Sequence, residues 1–187
     1  MKDTLAIAWC DNGMVDGKFM QGVTDVMLHG GANVVTTLRS SGNQIGRQRE
    51  TVAKYWYENN KSEWLLWVDS DVVISPDTFK KLWDKRDVEK HPILTGVYFT
   101  TDTPEEPLMM LMHRNVITRI LEVLPNTPLF TEVGVGKQFM GEDIFFFSLC
   151  DRADIPVWCD TSATVPHMKR FSFDVNYYDA FVGDKRK

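Results

Sequence analysis

Cysteine is scarce in this 187-residue chain: Cys10, Cys150 and Cys159 are an odd number, widely spaced and set among apolar residues. That pattern argues against a disulfide framework or a zinc cluster and fits reduced thiols in a cytoplasmic protein. Long apolar runs are missing too. The stretch at residues 5 to 9 is too short for a secretory signal, and nothing approaches the roughly 20 residues that span a bilayer. Excess positive charge is absent, the formal net charge being -5, so a nucleic-acid surface has no support beyond the basic pair Lys169, Arg170 and the end 184 to 187. Internal repeats, low-complexity blocks and a dividing linker are likewise lacking. With 43% hydrophobic and 25% charged residues, the expectation is one globular domain over 1 to 187, with an aromatic and basic tail at 171 to 187.

The hydrophobic pattern gives a fold class. Residues 5 to 9 read as a buried strand that runs into the loop Cys10, Asp11, Asn12, Gly13. Phe19, Val23, Val26 and Met27 recur at helical spacing, Gly30 and Gly31 stop that helix, and residues 33 to 38 read as a strand. A second helix is expected over 44 to 59, with Ile45, Val52, Tyr55 and Trp56 on one face and Arg47 and Arg49 near its start. The unbroken run Trp64 to Val68 is the pattern of a strand covered on both faces. Ser75, Pro76 and Asp77 open a helix as cap, first-turn proline and dipole partner, and Phe79, Leu82 and Trp83 give it a buried face. Strands follow at 93 to 100 and 108 to 112, separated by a Pro- and acid-rich loop at 102 to 107. Helical spacing returns at Phe145, Leu149 and Cys150, a strand is expected at 155 to 159, a loop at 160 to 170 and an aromatic segment at 171 to 181. The order predicts an α/β domain with a central mixed, mostly parallel sheet flanked by helices.

Two aspartates directly behind an apolar strand demand a reason, because burying an unpaired carboxylate costs several kcal/mol against a total stability of roughly 5 to 15. In an extended segment Asp69 and Asp71 point to the same side, so one would hold a hard divalent ion and the other its waters or a ribose hydroxyl. The competing reading is a solvated turn ahead of the Ser75 cap. The apolar strand before the pair and the capped helix after it favour the ion.

The block from Trp64 to Pro76, with Asp69-Ser70-Asp71 at its centre, resembles the core of glycosyltransferases with the GT-A fold. Arg49 on the preceding helix resembles the arginine-bearing helix of family-two-like members. Gly96-Val97-Tyr98 is similar to their next strand, Gly141-Glu142-Asp143 to their acidic block, and Thr164-Val165-Pro166-His167 to the late histidine segment. The resemblance spans about residues 5 to 167 in the family's order, within a GT-A-like, Rossmann-related domain. It implies that Asp71 and His167 hold Mn²⁺ or Mg²⁺, and that Asp69 contacts the ribose or the ion. Ser70 would join Trp9, Cys10, Asp11 and Arg49 in a nucleotide-sugar donor site, with a UDP-sugar expected first. Trp9 fits a core position or a stacking platform equally, and Arg49 either meets the diphosphate or pairs with Asp69. By analogy with the family's inverting members, Asp143 is the expected acceptor base, with Glu142 as acceptor-positioning group or alternative base; the acidic block itself does not distinguish inversion from retention, and inversion is the expectation.

The resemblance implies a metal-dependent hexosyl- or N-acetylhexosaminyl-transferase. The acceptor stays open between a glycan, a small molecule, a protein and a modified nucleic acid. A nucleotidyltransferase is an alternative, but residues 10 to 18 are acidic and lack the glycine clustering of a phosphate-binding loop. A noncatalytic nucleotide-sugar-binding module is the third reading.

Overall fold

The computed structural model describes residues 3 to 99, 104 to 105, 109 to 135 and 138 to 169. The tail expected at 171 to 187 and most of the loop expected at 102 to 107 lie outside them. In chain order, β1 (Thr4–Asp11), α1 (Gly17–His29), β2 (Asn33–Ser41), α2 (Ile45–Asn59) and β3 (Trp64–Val68) build two parallel crossovers. After them come α3 (Pro76–Lys85), β4 (Ile93–Phe99), β5 (Pro104–Glu105) and β6 (Met109–His113). The chain continues through α4 (Asn115–Val123), β7 (Val133–Val135), β8 (Gln138–Met140), α5 (Glu142–Arg152) and β9 (Val157–Val165).

The main sheet has seven strands in the order β2-β1-β3-β6-β4-β5, with β9 along β4. β1, β2, β3, β4 and β9 run one way, while β5 and β6 run against them, so the sheet is mixed and most of its strands are parallel. β1 and β3 lie between partners and are buried throughout except at Thr4, which is why both read as continuous apolar runs. Side-chain alternation then makes two cores, one on each face. Ala6, Ala8, Leu65 and Trp67 meet Val52 and Trp56 of α2 and Phe146 of α5. Leu5, Ile7, Leu66 and Val68 meet Phe19 and Val23 of α1 and Phe79 of α3.

Local signals behave as expected at most ends. Asp16 caps α1 by accepting from Lys18 N, Ser75 caps α3 by accepting from Thr78 N, and Gly31 takes the left-handed φ of 80° after α1. Met27 and Tyr55 depart from their expected buried faces: both are exposed, each one step round the helix from the buried Val26 and Trp56.

Several elements differ from the sequence reading: β1 and β2 run on to Asp11 and Ser41, and β5 lies within the loop expected at 102 to 107. The strand expected at 155 to 159 does not give way to a loop at 160; β9 continues to Val165, its register on β4 shifting between Thr95 and Val97. The strand passes so close to Gly96 that a Cβ there would collide with the Ala163 carbonyl and the Met109 side chain. Helix α4 and the β7-β8 hairpin were not expected; α4 buries Val116, Ile117 and Ile120.

Candidate functional site

β3 stops at Val68, and the chain turns at once, with Val72 N donating to the Asp69 carbonyl at 3.1 Å. The expectation that Asp69 and Asp71 share a side assumed an extended chain; here a turn follows Asp69 at once, and the two carboxylates, which line one cleft, take different partners. Asp69 goes to Arg49, whose Nη2 donates to both carboxylate oxygens at 2.8 and 3.1 Å. Asp71 goes to His167, with Oδ2 and Nε2 separated by 3.0 Å.

Backbone bonds bring His167 there. Val73 N donates to Pro166 O at 3.0 Å, Met168 N donates to Asp71 O at 2.7 Å, and Val72 and His167 form an antiparallel bridge. The imidazole stands edge-on to Tyr98, with 4.9 Å between ring centroids, and its Nδ1 is buried with no hydrogen-bond partner among the described residues. Asp71 keeps about half of its side chain in solvent while His167 keeps 6%. A carboxylate oxygen and an imidazole nitrogen therefore meet on a lip that is fixed on the histidine side and open on the aspartate side. Among the described residues no set of three His, Cys, Asp or Glu side chains converges, and the Asp69 carboxylate is hydrogen-bonded to Arg49.

Arg49 lies between two acids, its Nη1 reaching Glu142 Oε1 at 3.1 Å. Burial acts against the guanidinium charge, but the carboxylates of Asp69 and Glu142 outweigh it and raise the arginine's pKa. Burial also pushes the carboxyls of Asp69 and Glu142 above their ordinary range, and Arg49 opposes that rise in each. Of the two candidate bases, Glu142 is thus engaged by Arg49. Asp143 lines a small recess with Arg49, Trp67, Asp69 and Phe147, adds its charge to the field at Arg49, and has Oδ1 accepting from Ile144 N at 2.7 Å.

At the end of β1 the neighbouring residues face opposite ways. Trp9 lies in the α1 core with its ring 5.8 Å from Phe19 and only 7% exposed, so of its two sequence readings the core position is the one found. Cys10 points to the Arg49 side, and burial pushes its thiol up to about 12. Asp11 is tied down: its Oδ1 accepts from Arg39 Nη2 at 2.9 Å, Ser41 Oγ at 2.8 Å and Gly13 N at 2.7 Å, and its Oδ2 from Arg39 Nε at 2.6 Å. The hydrogen bonds from Arg39 hold its pKa far below the usual carboxylate range.

Cys10, Asp11, Asn12, Gly42, Gln48, Asp69, Ser70, Asp71 and Lys169 line one broad cleft at the carboxyl ends of β1 and β3. Sequence reasoning did not single out Arg39 or Gln48, and noted Lys169 only as half of a basic pair. For Gln48 a signal existed: Ile45, Gln48, Val52 and Trp56 follow one helical stripe, and a glutamine among the apolar residues of that stripe is the odd member.

Neither the family models nor the curated proteins give a match to this chain. Solved structures do. A197 from STIV aligns with a TM-score of 0.54 at 15% identity, over 92% of this chain and 97% of its own. A protein described as a glycosyltransferase involved in the glycosylation of the major capsid of PBCV-1 aligns with a TM-score of 0.51 at 15% identity, over 89% and 94%. At that identity the likeness is one of fold: the chain has a glycosyltransferase-like α/β fold.

Proposed function

We propose that the chain is a metal-dependent glycosyltransferase that takes a nucleotide-sugar, a UDP-sugar first, and passes the sugar to an acceptor. The observation that carries the reading is the meeting of Asp71 and His167, 96 residues apart, at the mouth of a strand-end cleft. Their donor atoms suit Mn²⁺ or Mg²⁺: one hard oxygen, one imidazole nitrogen, and a separation matching the ~3 Å between adjacent ligands of an octahedral ion bound at ~2.1 Å. Such an ion, when bound, supplies positive charge to the leaving diphosphate.

The chain's own residues supply the rest. Arg49 holds Asp69 at the cleft floor, so that this carboxylate keeps one position when a ribose hydroxyl approaches. Lys169 on the cleft wall adds a cation for a diphosphate. Asp143 is the base that takes the acceptor proton, because Glu142 is occupied by Arg49. The exposed Phe139 and Ile144 beside it leave that side open for an acceptor.

The test is release of nucleoside diphosphate from a panel of nucleotide-sugars, with Mn²⁺, with Mg²⁺ and with chelator. Metal-dependent diphosphate release is expected. Pyrophosphate release would assign the chain to the nucleotidyltransferases, and metal-independent binding without turnover would make it a binding module.

A further inference from the structure

Between α4 and β7 the chain runs from Leu124 to Glu132 without helix or strand, yet Leu129 and Phe130 are only 2% and 3% exposed. Backbone N–H groups buried on such a stretch need acceptors from elsewhere. One side chain of α2 serves both: Glu50 Oε2 accepts from Leu129 N at 2.8 Å and from Phe130 N at 2.9 Å. Its other oxygen lies 2.8 Å from the Lys54 ammonium. Glu50 itself lines neither the broad cleft nor the recess beside Asp143.

The residue that Glu50 holds does line that recess. Phe130 lies face to face with Phe146, the ring centroids 4.7 Å apart and the planes 10° from parallel, and stands edge-on to Trp67 at 5.9 Å. Phe146 follows Asp143 by one turn of α5. Arg49, Asp69, Phe130, Asp143 and Phe146 share the walls of this space of about 20 Å³. Gly141 provides no side-chain cap, so the first turn of α5 depends on its neighbours for its place. One stretch of α2 supplies them. A Cβ on Gly46 would lie 3.3 Å from Glu142 Cβ, Arg49 reaches the Glu142 carboxylate, and Glu50 sets Phe130 against Phe146.

Resting on the proposed transfer reaction, we infer that Glu50 is a positioning residue for the base Asp143: by fixing the backbone of Phe130 it sets where the start of α5 stands relative to Asp69. A general base works only within hydrogen-bond reach of the proton it takes, and a misplacement of about 1 Å costs up to about a hundredfold in rate. The role calls for the two hydrogen bonds to Leu129 and Phe130, not for the charge of Glu50.

The experiment follows diphosphate release from UDP-glucose, UDP-N-acetylglucosamine and GDP-mannose with Mn²⁺, water serving as acceptor, well below the melting temperature. The full chain is compared with its Glu50→Leu, Glu50→Gln, Lys54→Met and Phe130→Leu variants. Glu50→Leu is expected to lower kcat about tenfold to a hundredfold while the donor KM stays within about twofold, because both N–H groups lose their acceptor and the cleft is untouched. A glutamine presents one carbonyl oxygen to the same two N–H groups, so Glu50→Gln should restore kcat, and Lys54→Met, which removes only the ion pair, should leave it unchanged. Phe130→Leu keeps the backbone bonds but loses the stack; it should lower kcat as well, and its combination with Glu50→Leu should cost little more than either alone. A lower melting temperature in Glu50→Leu with kcat unchanged would make Glu50 a stabilising residue only and overturn the inference. A loss in Glu50→Gln equal to that in Glu50→Leu, or a normal kcat in Phe130→Leu, would overturn it too, and the Phe130→Leu result decides even where Glu50→Leu does not fold. Each of these outcomes leaves the proposed function standing. A wild type that releases diphosphate from none of the three donors would remove the proposed function and the inference together.

Discussion

Arg49 and Asp69 are joined through a single guanidinium nitrogen, Nη2, that donates to both carboxylate oxygens at 2.8 and 3.1 Å. The other terminal nitrogen reaches Glu142 at 3.1 Å, so one cation ties together the end of β3, the start of α2 and the start of α5. All three side chains are largely withdrawn from solvent. Removing the arginine would leave two carboxylates in a poorly solvated place.

Arg49→Met is therefore expected to lower stability by about 3 kcal/mol, the lower end of the range for breaking a buried pair, since Asp69 keeps 21% of its side chain exposed. Adding Glu142→Gln should return part of the loss, because it removes one stranded charge. Urea denaturation of the single and double variants measures both effects. A double variant less stable than Arg49→Met would show that Glu142 is held by something other than the arginine.

Asp11 gives the chain an acid-sensitive joint. Its carboxylate is held below the ordinary value of about 3.9 by the hydrogen bonds from Arg39. A depressed folded-state pKa contributes stability that is fully present above the unfolded value and is lost as pH falls through the folded value. Wild-type stability should thus decline from about pH 5 downward more steeply than that of Asp11→Asn. Parallel acid limbs in pH-dependent denaturation would remove Asp11 as the source.

The three thiols should react unequally. Cys159 is exposed, whereas Cys10 and Cys150 are buried and have thiols pushed up to about 12 by burial. Because the thiolate is the nucleophile, iodoacetamide near pH 8 should add once to the native chain, at Cys159, and three times in denaturant. Fast native labelling of Cys10 by mass spectrometry would mean that the cleft floor opens.

The central sheet was legible because its middle strands are covered on both faces: residues 5 to 9 and Trp64 to Val68 have no polar position to confuse the reading. The later strand was only half legible. From Asp160 to Thr164 β9 is mainly polar and exposed, so the sequence looks like loop, and pairing with β4 resumes only at Thr164 and Val165, opposite Val97 and Tyr98. α4 was missed for want of punctuation, since Arg114 provides no side-chain cap. Within the site, the meetings of Arg49 with Asp69 and of Asp71 with His167 were both raised by the sequence, whereas the contact of Arg49 with Glu142 was not. Whether Asp69 turns to Asp71 or to Arg49 depends on the turn at 69 to 72. That Glu142 would meet Arg49 depends on packing across 93 positions of sequence.

The different partners of Asp69 and Asp71 sharpen the expectation for metal binding. If Asp71 and His167 hold one ion, their losses must be coupled, because a site broken at one ligand has little left to lose at the other. Asp71→Ala and His167→Gln should each weaken Mn²⁺-dependent UDP binding by about tenfold or more, with a coupling of about 1 kcal/mol or larger in the double variant. Glutamine is chosen at 167 because the imidazole is nearly buried against Tyr98 and its volume should be kept. In chelator all four proteins should bind UDP equally weakly. Asp69→Asn should behave differently, since that carboxylate faces Arg49: its effect on UDP affinity should persist in chelator and add to that of Asp71→Ala. Calorimetry on this set decides between the arrangements. Strict additivity of Asp71→Ala and His167→Gln would dissolve the paired site, and coupling of Asp69→Asn to Asp71→Ala in the presence of Mn²⁺ alone would bring Asp69 back to the ion.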